Sequence, residues 1–204
     1  MTKVVSTQAP SDSDASEIDA NATVNHQTEI LNGMATIVVM PEQGLTQTSK
    51  LDFGALLLAG NHGGFEAKGS RTSVSASPGA VIRKQIIVSG TAIISNATLI
   101  CSGNTPAVTI RSGGRLVLKN CHISKGDNLH SSATDAYILM ETGSYASVVS
   151  SVFYGTQSNT GSLVYNQDAV NTGRGSVIGC VNLTDVAATP FVNIAAANVV
   201  GNIP

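Results

Sequence analysis

Short alternations of apolar and polar residues fill the chain from about residue 80 onward. Such alternation predicts half-buried β-strands, and no stretch carries the sustained 3.6-residue period of a helix. Four of the alternating stretches resemble one another and are spaced by 24, 31 and 29 residues when aligned on their third residue: "ISNATL" 94–99, "LKNCHI" 118–123, "VSSVFY" 149–154 and "IGCVNL" 178–183.

A second landmark recurs with nearly the same period, in steps of 29, 27 and 28 residues: "PAVTI" from Pro106, "DAYILM" from Asp135, "SLVYN" from Ser162 and "PFVNI" from Pro190. Glycine-containing turns at 112–114, 142–143 and 172–173 separate the two landmarks, so each repeat is a strand, a turn and a strand. A period near 28 is too short for a propeller blade of about 40 residues. The repeats therefore predict an all-β parallel β-helix solenoid of about four coils, in which each coil hydrogen-bonds to the next.

The third residue of each copy of the first landmark is small or polar. We expect these residues to form an inward-facing column at a tight bend, because Asn tolerates the left-handed conformation and its amide can bond to the next copy. The predicted inner stacking column is Asn96, Asn120, Ser151 and Cys180.

The strand, glycine turn and strand spacing, with "LKNCHI"-type endings, resembles the right-handed parallel β-helix superfamily of pectate-lyase-like solenoids over residues of about 80–200. The resemblance implies a right-handed solenoid. Such folds include polysaccharide lyases, glycosidases, adhesins, and the spike, fibre and decoration proteins of bacteriophages.

Residues 1–30 are polar and carry Lys3 against five acidic residues, a charge of about −4, whereas the other 174 residues carry about +2. With so few large apolar groups the segment would not offset its own ordering entropy. It is either a disordered tail or an extended arm that orders on another subunit. The candidate particle-anchoring residues in it are Asp12, Asp14, Glu17 and Asp19.

Residues 31–80 are expected to form a small adaptor that caps the first coil, with the β-helix over 81–204. "MATIVVM" 34–40 predicts a strand. "LDFGALLLAG" 51–60 is either a strand or a short buried helix, since periodicity cannot decide over such lengths. Residues 61–80 are rich in Gly and Ser and are expected to be a loop.

The composition limits which partners and which kinds of site can be expected. A net charge of −2 and 12% charged residues give no electrostatic reason to expect nucleic acid or an anionic membrane as a partner. The first residues lack an apolar signal segment, and no run approaches about 18 apolar residues, which predicts a protein made in the cytoplasm. Cys101, Cys121 and Cys180 lack the spacing of metal ligands and are expected to be reduced and buried, so neither a metal nor a cofactor is predicted.

Candidate catalytic groups are scattered. His62 in "GNHGGF" does not match a phosphate-binding loop, and a flexible turn is expected there. A glycosidase needs two converging carboxylates, and a lyase needs a basic residue near a calcium-binding acidic set. Asp127 and Asp135 share one loop, but the other candidates fall on different corners of the aligned repeat, so no catalytic residue is predicted. The candidates weighed are Asp127, Asp135, Glu141, Asp168, Asp185, Arg111, Arg115 and Arg174.

Two polar segments that carry tyrosines, 154–161 and 165–175, are either ordinary turns or a surface for sugars. The last 14 residues hold no charge, and we expect their apolar side chains to pack against another copy of the chain in a homotrimer. The candidate interface residues are Val38, Val39, Leu56, Leu57, Leu58, Phe191, Val199, Val200 and Ile203.

Together these features predict a non-enzymatic virion structural protein of a tailed bacteriophage, a capsid decoration or spike subunit anchored by its N-terminal part. Its expected partners are the major capsid protein or another virion subunit, with host surface glycans as a further candidate. The alternatives are a polysaccharide-degrading enzyme of the tailspike type and a carbohydrate-binding adhesin module. An adhesin would require export, and an enzyme would require converging carboxylates.

Overall fold

The computed structural model describes residues 2–5, 23–24, 36–39, 50–101, 105–125, 135–155, 161–184 and 190–203. These residues form strands and two short 3₁₀ helices, Thr172–Arg174 and Ala196–Asn198. The strands in chain order are β1 Thr2–Val5, β2 Thr23–Val24, β3 Thr36–Val39, β4 Lys50–Leu58, β5 Asn61–His62, β6 Phe65–Ala76, β7 Val81–Ile82, β8 Ile86–Val88, β9 Thr91–Ser95, β10 Thr98–Cys101, β11 Val108–Ile110, β12 Arg115–Lys119, β13 His122–Lys125, β14 Ala136–Met140, β15 Tyr145–Val149, β16 Val152–Gly155, β17 Ser162–Asn166, β18 Gly175–Ile178, β19 Val181–Thr184, β20 Phe191–Val192 and β21 Val199–Val200.

Every described strand pair is parallel, and each strand pairs with its counterparts in neighbouring repeats, so the fold is an all-β parallel solenoid. The strands stack in three ladders, and one strand from each ladder makes a coil. The first ladder is β8, β11, β14, β17 and β20, the second is β9, β12, β15, β18 and β21, and the third is β5, β7, β10, β13, β16 and β19. Strand β6 spans two ladders, because residues 65–67 pair with β8 and residues 72–75 pair with β9.

The solenoid begins upstream of the predicted boundary at residue 81. Strand β4 pairs in parallel with β6 over most of its length, β3 pairs with β4, and β5 pairs with β7. The segment 51–60 is therefore a strand along β4, not a helix. In residues 1–30 the structure describes only the backbone of β1 and β2, and the acidic residues Asp12, Asp14, Glu17 and Asp19 lie outside the described part of the chain.

The expectation of a loop over 61–80 is wrong, because residues 65–76 form the 12-residue strand β6. Phe65, Ala67, Thr72, Val74 and Ala76 are buried, while the polar residues between them are more exposed wherever their side chains are described. The alternation of buried and exposed positions runs in two parts, over 65–67 and over 72–76, and the small and polar residues of the segment obscured it in the sequence.

The corner between the second and third ladders is made by single residues in the left-handed conformation. Asn96, Asn120, Ser150, Gly179 and Gly201 occupy equivalent positions, with φ of 62°, 52°, 49°, 60° and 64°. All five are exposed. Asn and Gly are the residues that adopt this conformation most readily, which explains their presence at the bend.

The predicted inner column is wrong in two ways. Asn96 and Asn120 point to solvent, since a left-handed residue at an outward bend turns its side chain away from the interior. Lys119 pairs with Val149, which places Asn120 beside Ser150, so the step between these copies is 30 residues, one fewer than the sequence alignment gave.

The actual inner column consists of the residues that follow the bend: Ala97, Cys121, Ser151, Cys180 and Asn202. Ser151 and Cys180 do face inward, but beside Cys121 and Asn202. The Ser151 hydroxyl accepts a hydrogen bond from the Cys121 amide (3.1 Å) and donates to the Val149 carbonyl (3.0 Å). The Asn202 side-chain oxygen accepts from the Cys180 amide at 2.8 Å. These side chains satisfy buried amides at the bend.

Few of the predicted interface residues are exposed. Leu58 is fully buried in the core and therefore contradicts the interface assignment. Leu57 and Val199 are half-buried, and Phe191 packs against the core. Val200 and Ile203 are 52% and 60% exposed. For Val38, Val39 and Leu56 the structure describes only the backbone, which pairs in β3 and β4.

Replacing Ser151 by Ala should leave the buried Cys121 amide without its acceptor. We expect the free energy of unfolding to fall by about 1–3 kcal/mol, the cost of an unsatisfied buried donor. Urea denaturation followed by circular dichroism measures it. The matched control is Ser176→Ala, because the Ser176 hydroxyl donates to Ser147 at a half-buried outer position, and its loss should cost less than about 0.5 kcal/mol. Equal effects of the two variants would contradict the inner column.

Candidate functional site

Charged residues gather at the corner between the first and second ladders. Tight turns join the two ladders here, with Gly113 and Gly143 in the left-handed conformation (φ 79° and 87°). The residues that flank these turns in successive coils therefore lie above one another. We call the resulting cluster the arginine–tyrosine corner; it consists of Arg111, Arg115, Glu141, Tyr145 and Arg174.

Tyr145 lies between two guanidinium groups. The Arg115 guanidinium carbon is 4.9 Å from the centre of the Tyr145 ring, and that of Arg174 is 4.8 Å from it. Arg115 is the direct partner of Tyr145 in the ladder, and the Tyr145 side chain is 39% exposed. Each such cation–π contact is worth about 0.5–1 kcal/mol at an exposed site, so the stack ties neighbouring coils together.

Glu141 also bridges two coils. Its carboxylate lies 2.5 Å from the Arg111 guanidinium and accepts a second hydrogen bond from the Ser112 amide at 3.2 Å. An exposed ion pair contributes at most about 1 kcal/mol to stability. Here the ion pair and the hydrogen bond from the Ser112 amide together fix the carboxylate in one position. Both interactions of the Glu141 carboxylate are therefore with other residues of the fold.

The turn between β17 and β18 is longer than its counterparts and is braced internally. Buried Asn166 accepts from the Asp168 amide at 3.0 Å and donates to the carbonyls of Asp168, Asn171 and Asn193. The Asp168 carboxylate accepts from the backbone and side chain of Asn171 at 2.9–3.1 Å. The turn presents Val170, whose exposed fraction is 89%, on this hydrogen-bonded base.

Hydrogen bonds from the Asn171 side chain and backbone hold the pKa of Asp168 below its ordinary value. The charge of Arg174, whose Nε atom is 3.8 Å from the carboxylate, adds to the effect. Asp168 is therefore a charged, hydrogen-bonded structural group rather than a proton donor near neutral pH.

The structure brings several catalytic candidates together that the sequence alignment had placed on different corners. Glu141 and Asp168 both lie on the turns between the first and second ladders, with Arg111, Arg115 and Arg174. Each of the two carboxylates is already bonded to partners in the fold. Asp135 lies half-buried just before β14, away from that corner. Asp127 and Asp185 lie outside the described residues.

His62 lies in strand β5 rather than in a flexible turn. It is 3% exposed, and its Nε2 atom is 3.0 Å from the Ala59 carbonyl. Burial lowers the pKa of His62, which favours the neutral ring. His122 is exposed on the third ladder and makes an edge contact with Tyr154. His26 and His130 lie outside the described part of the chain.

Cys121 and Cys180 are buried free thiols, as predicted, and burial raises the pKa of each. For Cys101 only the backbone is described. Among the described residues no group of three or more His, Cys, Asp or Glu side chains could hold a metal ion. In that same part of the chain, no helix has the length and apolar content to cross a membrane.

The structure places the two tyrosine-containing segments in different surroundings. Tyr154 is half-buried on the third ladder, and residues 156–160 lie outside the described part of the chain. Segment 165–175 contains the turn braced by Asn166 and Asp168.

Comparisons with family models, curated proteins and solved structures found no match.

Sequence reasoning missed Tyr145 as a member of this corner. A signal was present, because Arg115, Tyr145 and Arg174 each follow a glycine turn at about the same offset in "GGRL", "GSYA" and "TGRG". Recognising it requires the strand register, which the turns of unequal length obscure.

Asp168 makes stability depend on pH at the acid end. Because the folded-state pKa is lowered, its contribution is complete above the ordinary value and is lost as pH falls through the folded-state pKa. We expect Asp168→Asn to lower stability at pH 7 and to reduce the further loss on acidification from about pH 5 to pH 2. Urea denaturation at several pH values measures this. Asn171→Ala should have a similar effect, and an unchanged pH dependence in both variants would contradict the assignment.

Proposed function

We propose that the chain is a non-enzymatic structural subunit of a tailed bacteriophage virion, either a capsid decoration protein or a spike subunit. In this proposal it is a right-handed β-helix of about four coils that assembles as a homotrimer. Its N-terminal arm attaches it to the major capsid protein or another virion subunit. Host surface glycans are a further candidate partner.

The observation that carries this proposal is the way charged and polar side chains connect neighbouring coils. Glu141 binds Arg111, Glu66 accepts from Ser89 at 2.6 Å, and Tyr145 stacks between Arg115 and Arg174. Further contacts of this kind are Gln85 to Thr109 and Ser176 to Ser147. Side chains used in this way oppose the sliding of one coil over the next, which suits a structural subunit of a particle.

The same contacts count against hydrolysis at this corner. A glycosidase needs one carboxyl group that carries a proton and a second that acts on water or on the sugar. Glu141 is held by an arginine and an amide, and hydrogen bonds keep the pKa of Asp168 low. Asp168 is therefore not prepared to donate a proton near neutral pH, and the Glu141 carboxylate is already occupied by contacts within the fold. This favours a structural role over a polysaccharide-degrading enzyme.

The proposed attachment uses the segment between β1 and β2. The backbones of these two strands pair in parallel with β3 and β4. The acidic residues proposed for anchoring lie between β1 and β2 in the sequence.

The proposal predicts that an antibody raised against the full chain labels intact particles of the phage that encodes it. A variant lacking residues 1–30 should keep most of its thermal stability and should not enter particles. Immunogold electron microscopy, with mass spectrometry of purified particles, measures both. A full-length protein absent from the particles, or a truncated protein incorporated at the wild-type level, would contradict the proposal.

Incubating the full-length protein with capsular polysaccharide of the host should release no new reducing ends or unsaturated sugars. Product formation that Glu141→Gln abolishes would instead establish the enzymatic alternative. Detection of the protein on the bacterial envelope, with none in particles, would favour an adhesin.

A further inference from the structure

Arginines recur at every second coil in one outer column, at the edge of the second ladder. Thr91 and Tyr145 each pair with Arg115, and Arg71 and Arg174 immediately precede the paired residues of the next coils on either side. We call this set the arginine column; it consists of Arg71, Thr91, Arg115, Tyr145 and Arg174. No member is acidic, so the column carries three positive charges.

Two coils separate successive arginines of the column. Because neighbouring strands of a sheet lie about 4.7–4.9 Å apart, residues two coils apart lie about 10 Å apart. The contacts across the tyrosine agree with this spacing, since the guanidinium carbons of Arg115 and Arg174 lie 4.9 Å and 4.8 Å from the centre of the Tyr145 ring. The column therefore presents a positive charge about every 10 Å along the solenoid axis.

The guanidinium of Arg115 is held in place but keeps its hydrogen-bond donors. It lies over the Tyr145 ring, and within the described residues it has no hydrogen-bond or ion-pair partner. Arg71 is exposed and is equally unpaired in that part of the chain. A guanidinium presents five N–H donors in a rigid fork that matches a carboxylate through two parallel hydrogen bonds. Both arginines can therefore bind a carboxylate of another molecule without breaking a contact of the fold.

Arg174 shares an open space with a second donor. Its Nη1 atom lies 3.8 Å, and the Ser112 hydroxyl lies 3.2 Å, from the point where a Cβ atom of Gly143 would stand. The φ of 87° accounts for the glycine itself, and the lack of a side chain there leaves the two donors accessible from one side. The Asp168 carboxylate is on the Nε side of Arg174 at 3.8 Å, beyond hydrogen-bond distance.

The spacing of the charges favours a linear polyanion of low charge density. Duplex DNA carries one charge per about 1.7 Å of its axis, so arginines about 10 Å apart would meet only a small part of its phosphates. A small anion would meet one arginine at a time. In a linear polysaccharide with a uronic acid at every second sugar, one carboxylate recurs per disaccharide, and two linked pyranose rings span a length similar to two coils.

We propose that the arginine column binds a linear acidic polysaccharide that runs parallel to the solenoid axis and carries one carboxylate per disaccharide. Each arginine binds one carboxylate, and the hydroxyl groups of Thr91 and Tyr145 bind the sugars between them. No bond of the glycan is made or broken. The inference deepens the proposed function and rests on it, because host surface glycans are the candidate partner there.

Oligosaccharides of hyaluronate, in which glucuronate alternates with N-acetylglucosamine, test the spacing. At low ionic strength, affinity should rise by about two- to fivefold with each carboxylate from the disaccharide to the hexasaccharide. The octasaccharide should add little, because the column has three arginines. NMR titration of the full chain, followed at the arginine Nε–H signals, measures the affinity and should show shifts at Arg71, Arg115 and Arg174. A hexasaccharide whose carboxyl groups are reduced to alcohols should not bind.

Arg71→Gln removes one end of the column without touching the contacts of Tyr145. This variant should bind the tetrasaccharide nearly as well as the wild type, and the hexasaccharide no better than the tetrasaccharide. The matched control is Arg83→Gln, which makes the same change of charge at an exposed arginine outside the column. The control should keep the gain from tetrasaccharide to hexasaccharide. Circular dichroism checks that both variants are folded.

Equal losses in the two variants would overturn the column, since binding would then follow net charge alone. Binding of the carboxyl-reduced hexasaccharide would overturn the carboxylate contacts. Unchanged signals at all three arginines would overturn this site and leave the virion role intact. Tighter binding of a single-stranded oligonucleotide with three phosphates would overturn the choice of a glycan. The predicted binding by a protein that is absent from particles would overturn only the virion role.

Discussion

Backbone hydrogen bonds between neighbouring coils continue through the corner between the second and third ladders, and the rest of the structure depends on that continuity. The Asn120 amide donates to the Val149 carbonyl (3.1 Å), and the His122 amide donates to the Ala97 carbonyl (2.9 Å). Between them, the Cys121 amide reaches the Ser151 hydroxyl of the adjacent coil. The register is therefore fixed across the bend, and with it the choice of side chains that face the core.

Because the register is fixed, residues at equivalent positions in successive coils form columns. Each outer column therefore has its own set of residue types. Arg115, Tyr145 and Arg174 stack at one corner, whereas Ile178 and Val200 follow one another at another. The first column holds coils together, and the second leaves apolar surface exposed. Side-chain contacts between coils and exposed apolar surface thus lie at different corners of the same solenoid.

The repeated landmarks were sufficient to predict an all-β parallel solenoid, because alternation and glycine turns are local signals. They could not fix the register at "VSSVFY", since Ser150 and Ser151 are chemically identical and only the backbone conformation of Ser150 separates outside from inside. Strand β6 was missed because polar and small residues concealed its buried positions. The charged corner was missed because Glu141 and Asp168 lie on turns of different lengths, and placing both turns at one corner requires the strand register rather than the composition.

Amide hydrogen exchange of the full chain, followed by NMR, tests the continuity of the ladder most directly. Asn120 has an exposed side chain and a positive φ, features typical of an unprotected turn. If bonding continues through the bend, the amides of Asn120, Cys121 and His122 should be protected as strongly as those within β12. Rapid exchange at these three amides, with protection retained in the flanking strands, would contradict the account.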